Sequence, residues 1–177
     1  MNQVTSPVVR RATADDAGLL ADLGARTFAE TFAADNTPED VAAYLAAAFG
    51  RDQQAAELAD SDAVFLIAEV AGVPAGYAKL HAGDPPDDVT PDKPIELVRL
   101  YVSHEWLGRG LGAMLMQACI DEAKKKRHHT LWLGVWEHNA RARAFYGKWN
   151  FRDVGEHIFQ LGADSQTDIL MERQVEQ

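Results

Sequence analysis

The chain is poor in cysteine, in basic residues and in long apolar runs. Cys119 is the single cysteine, so the chain cannot form an internal disulfide, and no cysteine and histidine cluster has the spacing of a metal site. No apolar run approaches the roughly 18 residues that a membrane-spanning helix needs, and the N-terminal residues lack the apolar segment of a signal peptide. These absences predict a soluble, cytoplasmic protein with no membrane partner and no metal.

Basic residues are outnumbered by acids. The 177 residues include 17 Lys and Arg against 27 Asp and Glu, a formal charge of −10. A protein that coats nucleic acid neutralises phosphates with Lys and Arg, so this balance argues against nucleic acid as a partner. The charge is uneven, because residues 99–152 carry ten Lys and Arg against four Asp and Glu. One local basic site is therefore still allowed.

The composition is otherwise that of an ordinary globular protein. Hydrophobic residues make up 47% of the chain and charged residues 25%, and a chain of this length suits one domain with a sizeable core. We therefore expect residues 1–177 to form a single domain.

Hydrophobic periodicity and turn residues predict the element order β-α-α-β-β-β-α-β-α-β-β. The predicted strands are 8–11, 63–70, 75–81, 95–102, 130–136, 151–160 and 166–173. Helix starts are indicated at Thr13 or Asp15, at Thr37 before Pro38, in a glycine-rich turn, and at Asn139, with a short helical stretch near 53–58. Prolines and aspartates at 83–94 predict an exposed loop. A strand, helix and strand in succession require a crossover between parallel strands, so the fold class is mixed α/β.

The glycine-rich turn GRGLGA, at 108–113, lies between a predicted strand and a predicted helix. Glycine lets the backbone approach a ligand, and the first N–H groups of a helix point at an anion, so the turn is typical of a phosphate site. No Gly-Lys-Ser/Thr follows, which excludes a triphosphate loop, and the acid expected about 20 residues after a dinucleotide fingerprint is missing. A pyrophosphate loop of another kind, a dinucleotide site and a purely structural turn stay open on the residues alone.

Four motifs in order resemble the GCN5-related N-acetyltransferase (GNAT) family. They are ELVRLYV at 96–102, GRGLGA at 108–113, LWLGVWEHN at 131–139 and AFYGKWNF at 144–151. The resemblance implies a mixed sheet of about seven strands, mostly antiparallel with a central splayed parallel pair, flanked by about four helices. It also implies an acyltransferase that uses acetyl-coenzyme A (acetyl-CoA) as co-substrate and needs no metal.

By this resemblance, acetyl-CoA binds where the two middle strands splay apart. The residues implied are Leu100, Tyr101 and Val102 for the pantetheine arm, Gly108, Arg109, Gly110, Leu111, Gly112 and Ala113 for the pyrophosphate, and Asn139 and Tyr146 for the thioester end. Two positions depart from the family pattern: Leu107 replaces the usual Gln or Arg, and Asn150 replaces the usual Gly. After glycine, asparagine best tolerates a positive φ, so we expect Asn150 to keep the turn.

Glu96 and Tyr146 are the candidate catalytic residues. Glu96 lies in an apolar strand, where desolvation raises a carboxyl pKa, and it matches the family's glutamate base for the acceptor ammonium. The alternative is a buried ion pair with an arginine such as Arg99, although on a regular strand the two side chains point to opposite faces. The resemblance makes Tyr146 the proton donor to the departing sulfur; the alternative is a tyrosine that only packs on Trp149.

The acceptor is indicated by a weaker likeness to bacterial spermidine/spermine acetyltransferases within the family. It rests on TFAETF at 27–32, DNT at 35–37 and AYL at 43–45, and implies that Phe28 and Phe32 line the acceptor pocket with Glu96. The alternative is that both phenylalanines belong only to the core. The acidity outside 99–152, which includes the helices and the 83–94 loop expected near the acceptor, would also favour a cationic substrate.

We therefore expect an N-acetyltransferase that acts by direct attack in a ternary complex on a small-molecule, polyamine-like primary amine. The alternatives are a peptide or protein amine, a drug amine, and a binding module that senses acetyl-CoA without turnover. The sequence allows a homodimer.

Overall fold

A computed structural model describes residues 6–177, and the seven strands of this part form one sheet. The strands are β1 (Val8–Arg11), β2 (Ala63–Val70), β3 (Val73–His81), β4 (Pro94–Val102), β5 (Thr130–Trp136), β6 (Arg152–Leu161) and β7 (Asp164–Gln174). The helices are α1 (Ala17–Phe32), α2 (Pro38–Ala48), α3 (Arg51–Ala59), α4 (Leu111–Lys125) and α5 (Ala140–Lys148). There are thus five helices where about four were expected, and the additional one is α3, the short stretch before β2. Among the described residues, no helix is long and apolar enough to cross a membrane.

The sheet has the order β1-β2-β3-β4-β5-β7-β6, and only β4 and β5 run parallel. Their pairing is short: residues 94–96 pair with residues 130–132, although β4 continues to Val102 and β5 to Trp136. Beyond these pairs the two strands separate. The mixed sheet with a central splayed parallel pair is thus confirmed.

A β-bulge interrupts β4 where it pairs with β3. Lys79 lies opposite Arg99 and Leu80 lies opposite Leu97, so Val98 has no partner in the register. An extra residue shifts the alternation of side chains by one, which places Glu96 and Arg99 on the same face of the sheet. The expectation from a regular strand, that these two side chains point to opposite faces, is wrong for this reason.

Two hydrophobic clusters cover the two faces of the sheet. On one face α4 and α5 pack against the sheet, and the buried members include Leu97, Leu115, Met116, Cys119, Leu133, Tyr146 and Phe151. On the other face α1 and the corner between α2 and α3 pack against the sheet, and the members include Leu20, Phe28, Phe49, Ile67 and Tyr77. Cys119 is fully buried, as expected for a core cysteine, and burial raises its pKa to about 12.

Capping residues position the helices that border the site. The Thr37 hydroxyl accepts a hydrogen bond from Asp40 N at 3.2 Å, and Asn139 Oδ1 accepts one from Ala142 N at 3.1 Å. Near the N-terminus Asp16, rather than Asp15, closes the turn, because its Oδ2 accepts from Thr13 N at 2.8 Å. The predicted starts of α2 and α5 are confirmed.

The proline- and aspartate-rich loop before β4 is largely exposed, as expected, but it is anchored at its centre. Val89 is 2% exposed and packs with Trp132 and Leu170. Thr90 N and Oγ1 each donate a hydrogen bond of 2.8 Å to the buried Glu172 carboxylate. A valine and a threonine inside the loop therefore provide the apolar and polar contacts that tie it down.

Candidate active site

A cavity of about 660 Å³ lies where β4 and β5 separate. One part, here called the glycine end, is lined by Leu100, Val102, Gly108, Gly110, Gly112, Ala113, Asn139, Arg141, Phe145 and Tyr146. The other part, here called the aromatic end, is lined by Phe28, Phe32, Tyr44, Glu96, Tyr101, Trp136, His157, Phe159, Gln166 and Asp168. The cavity thus joins most of the residues that the sequence singled out.

The glycine end is shaped by backbone that only glycine adopts easily. Gly108 and Gly110 have φ of 73° and 87°, and a Cβ at either position would meet no atom within 4 Å. Gly110 also precedes α4, whose first turn has no acidic residue and no side-chain cap. The N–H groups of this first turn are therefore available to an anion from the cavity.

Two side chains of the turn do not line the cavity. The Arg109 guanidinium lies 5.1 Å from the centre of the Trp106 ring, and Leu111 is 1% exposed in the core. The buried Leu111 can therefore serve an anion only through its main chain, whereas the exposed Arg109 covers Trp106, which does line the cavity. Arg141, at the start of α5, is the arginine that does line this end.

Tyr146 reaches the cavity from α5 and is 9% exposed. Its ring packs against Phe145 at 5.5 Å and Phe151 at 5.7 Å, whereas Trp149 packs against Phe145. Burial raises the Tyr146 pKa above its usual value. Asn150 has φ of 64°, which confirms that asparagine keeps the turn before Phe151.

Glu96 lines the cavity without a partner. Among residues 6–177, no side chain forms a hydrogen bond or an ion pair with its carboxylate. Burial raises the Glu96 pKa, and His81 and His157 oppose that shift. A carboxyl with a raised pKa beside a cavity has the properties of a general base.

Arg99, the expected alternative partner of Glu96, is paired elsewhere. Its Nη1 and Nη2 lie 2.8 and 3.2 Å from the Glu57 carboxylate, and Lys79 Nζ lies 2.8 Å from the same group. Burial alone would raise the Glu57 pKa, but Arg99 and Lys79 bring it down to about 2. One acid of α3 therefore binds both cations below the cavity, and neither of them pairs with Glu96.

The aromatic end is a cluster of rings that belong to the hydrophobic core and also line the cavity. Phe28 is 2% exposed and contacts Tyr44 and Phe32, with ring centres 4.5 and 4.6 Å apart, yet it borders the cavity. The centres of the Phe32 and Trp136 rings lie 6.3 Å apart, in edge-to-face contact. The Tyr101 ring also belongs to this end, packing against Phe28, and burial raises its pKa well above the usual value.

His157 and Asp168 are polar residues of the aromatic end that the sequence analysis missed. His157 Nε2 lies 3.6 Å from Asp168 Oδ2, and Asp168 is 9% exposed. Burial raises the Asp168 pKa, and His157 opposes the shift. The available signal was alternation in β7, where Asp168 shares a face with Leu170, but no motif marked it.

No residue of 83–93 lines the cavity. The aspartate-rich loop was expected near the acceptor, but it does not reach the cavity, because Val89 packs against Trp132 and Leu170 and Thr90 is bound to Glu172. Glu30, Glu96 and Asp168 are the acids of the lining.

In the described part of the chain, no group of three metal-binding side chains occurs. His129 Nδ1, for example, lies 3.0 Å from Asp92 Oδ2 alone.

Residues 25–151 match the model of the acetyltransferase (GNAT) family. The chain is 37% identical over 147 residues to an uncharacterized N-acetyltransferase in the pepI 3′ region of Lactobacillus delbrueckii subsp. lactis, covering 83% of this chain and 85% of that protein. The fold is similar to the PaiA N-acetyltransferase of Thermoplasma acidophilum solved with coenzyme A, with TM-score 0.75, 21% identity and coverage of 96% and 99%. It is also similar to yncA of Salmonella typhimurium solved with its cofactor acetyl-CoA, with TM-score 0.66, 21% identity and coverage of 97% and 95%.

Proposed function

The chain belongs to the GNAT family of acetyltransferases and is an acetyl-CoA-dependent N-acetyltransferase, and we propose that it acetylates a small-molecule, polyamine-like primary amine. The observation that carries the proposal is Glu96, an unpartnered carboxylate in an aromatic cavity that continues into the glycine turn. Such a cavity brings a base for an ammonium next to a site for a nucleotide anion.

The glycine end suits acetyl-CoA, which when bound supplies an activated acetyl thioester. The free N–H groups around Gly110 and the guanidinium of Arg141 would hold the pyrophosphate. The stretch of Leu100, Tyr101 and Val102, no longer paired with β5, offers its main chain to the pantetheine arm. Asn139 would contact the thioester end while it caps α5.

Glu96 would take the proton of the acceptor. An alkylammonium has a pKa near that of lysine, about 10.4, and is not a nucleophile until it loses a proton. Because burial raises the Glu96 pKa, the carboxylate is a stronger base than an exposed glutamate. The proton can pass directly or through one water.

Two further groups would assist the transfer. The N–H of Leu100, on the separated part of β4, would stabilise the negative charge that develops on the thioester oxygen. Tyr146 would donate a proton to the departing sulfur. A thiol has a pKa of about 8.5 and leaves tolerably as thiolate, so the tyrosine contributes moderately.

The aromatic end supports a cationic acceptor. Glu96 and Asp168 bring negative charge, and the rings of Phe32 and Trp136 favour a cation and its methylene chain. Arg99 does not oppose such a ligand strongly, because Glu57 is bound to it.

The test is thiol release from acetyl-CoA with a panel of polyamines, amino acids, peptides and drug amines, with products identified by mass spectrometry. We expect polyamines to give the highest kcat/KM, and this value to fall with rising salt while that of a neutral amine does not. A peptide or drug amine turned over faster than every polyamine would contradict the proposed acceptor.

A further inference from the structure

Asp168 is a largely buried carboxylate with few protein partners. It is 9% exposed, it lines the aromatic end, and His157 Nε2 lies 3.6 Å from its Oδ2. Within residues 6–177, His157 is the one group that bonds to its carboxylate. A buried carboxylate with few donors is costly, so a donor that enters from the cavity would be bound favourably.

Gly134 makes room for this pair on the surface of the sheet. A Cβ at this position would lie 3.0 Å from His157 Nε2 and 3.3 Å from Asp168 Oδ2. A side chain there would push the pair away from β5. The glycine therefore allows an imidazole and a carboxylate to lie directly over the strand that borders the cavity.

The pair lies beside Glu96. Glu96 pairs in the register with Trp132, and Gly134 follows two residues later on the same face of β5. Both carboxylates line one cavity. An acceptor in the cavity would thus have access to both carboxylates.

An ammonium group donates three hydrogen bonds and binds best to acceptors that carry charge. Two separate carboxylates in one apolar cavity match a molecule with two ammonium groups joined by methylenes. The Phe32 and Trp136 rings, 6.3 Å apart, provide the apolar wall for such a chain.

Building on the proposed function, we infer that Asp168, oriented by His157 over Gly134, is the subsite for a second ammonium group of the acceptor. The substrate class is then diamines and longer polyamines, with one amine acetylated near Glu96 and another bound at Asp168. A monoamine would lack the second contact.

The test compares 1,4-diaminobutane with n-butylamine, which has the same carbon chain and one amine. In the wild type we expect kcat/KM to favour the diamine by about tenfold or more. In Asp168→Asn this preference should be lost, mainly through a higher KM for the diamine. Glu156→Gln removes the same charge from the exposed residue next to His157 and should keep the preference.

A second variant removes no charge. Gly134→Ala would displace His157 and Asp168, and it should lower the same preference. Thermal stabilisation by acetyl-CoA, equal to that of the wild type, shows that each variant is folded. A folded Asp168→Asn enzyme that still prefers the diamine would overturn the subsite. Thiol release with neither amine would instead contradict the proposed function.

Discussion

The two ends of the cavity are built from different material. The glycine end combines main chain, in the turn before α4 and in the stretch of β4 that has left β5, with side chains of α5. The aromatic end consists of side chains from α1, α2 and four strands. Main-chain donors suit a ligand that is always the same, whereas side chains can change with the acceptor while the fold persists.

The largest expected effect concerns the charges below the aromatic end. Glu57→Gln leaves Arg99 and Lys79 buried without a counter-charge, and should lower the free energy of unfolding by about 3 kcal/mol. The exposed control Glu156→Gln should change it little. Denaturant unfolding measures this free energy for both variants. An equal loss of unfolding free energy in the two would show that the Glu57 network does not stabilise this part of the protein.

The stabilisation by Glu57 should also depend on pH. The Glu57 pKa is lowered to about 2 in the folded protein from an ordinary value of 4.5. Its stabilisation is therefore complete above about pH 4.5 and is lost as the pH falls toward 2. The difference in unfolding free energy between wild type and Glu57→Gln should shrink over that range.

Glu96→Gln tests the residue of the aromatic end that would act as the base. We expect kcat to fall about 100-fold near neutral pH, because the ammonium loses its base, while acetyl-CoA binding is kept. Burial raises the Glu96 pKa, so wild-type activity should rise with pH as the carboxyl ionises, and the variant should lack this rise. A pH–rate profile identical to the wild type would remove Glu96 from the mechanism.

Gly110→Ala tests the glycine end alone. An alanine at φ of 87° costs about 1 kcal/mol in backbone strain, and relaxation of the turn should raise the KM for acetyl-CoA roughly five- to tenfold. Gly72→Ala, at φ of 77° in the β2–β3 turn, imposes similar strain far from the cavity. The comparison fails if both variants change this KM equally.

The smallest effect is expected for Tyr146→Phe. Turnover should fall by roughly three- to tenfold, because the thiolate leaves tolerably without a proton donor, and the KM for acetyl-CoA should stay the same. Steady-state kinetics at saturating amine measure both quantities. Wild-type turnover would assign Tyr146 to packing against Phe145 and Phe151.

The glycine end could be predicted from sequence because its information is local. The run of glycines at 108–112, the cap at Asn139 and the positive φ of Asn150 each depend on the residue type at one position. The strands could be placed in the same way, since alternation and turn residues mark them along the chain.

The aromatic end could be predicted only in part, because it depends on which face each strand turns to the cavity. The unpaired residue Val98 moves the Arg99 side chain to the other face of the sheet, and no residue pattern in β4 indicates this bulge. Asp168 and His157 meet through the pairing of β6 with β7, and Glu57 reaches Arg99 of β4 from α3. Contacts between distant segments carry no short-range signal.

The short β4–β5 pairing divides the sheet into two antiparallel halves joined by a seam. Strands β1 to β4 form one half and β5 to β7 the other, and the register pairs residues 94–96 with 130–132 across the seam. A ligand that binds in the rest of the seam contacts both halves of the sheet. Its binding would therefore stabilise the folded protein by mass action. We therefore expect the main-chain amides along this seam to show the largest slowing of hydrogen exchange when the nucleotide binds.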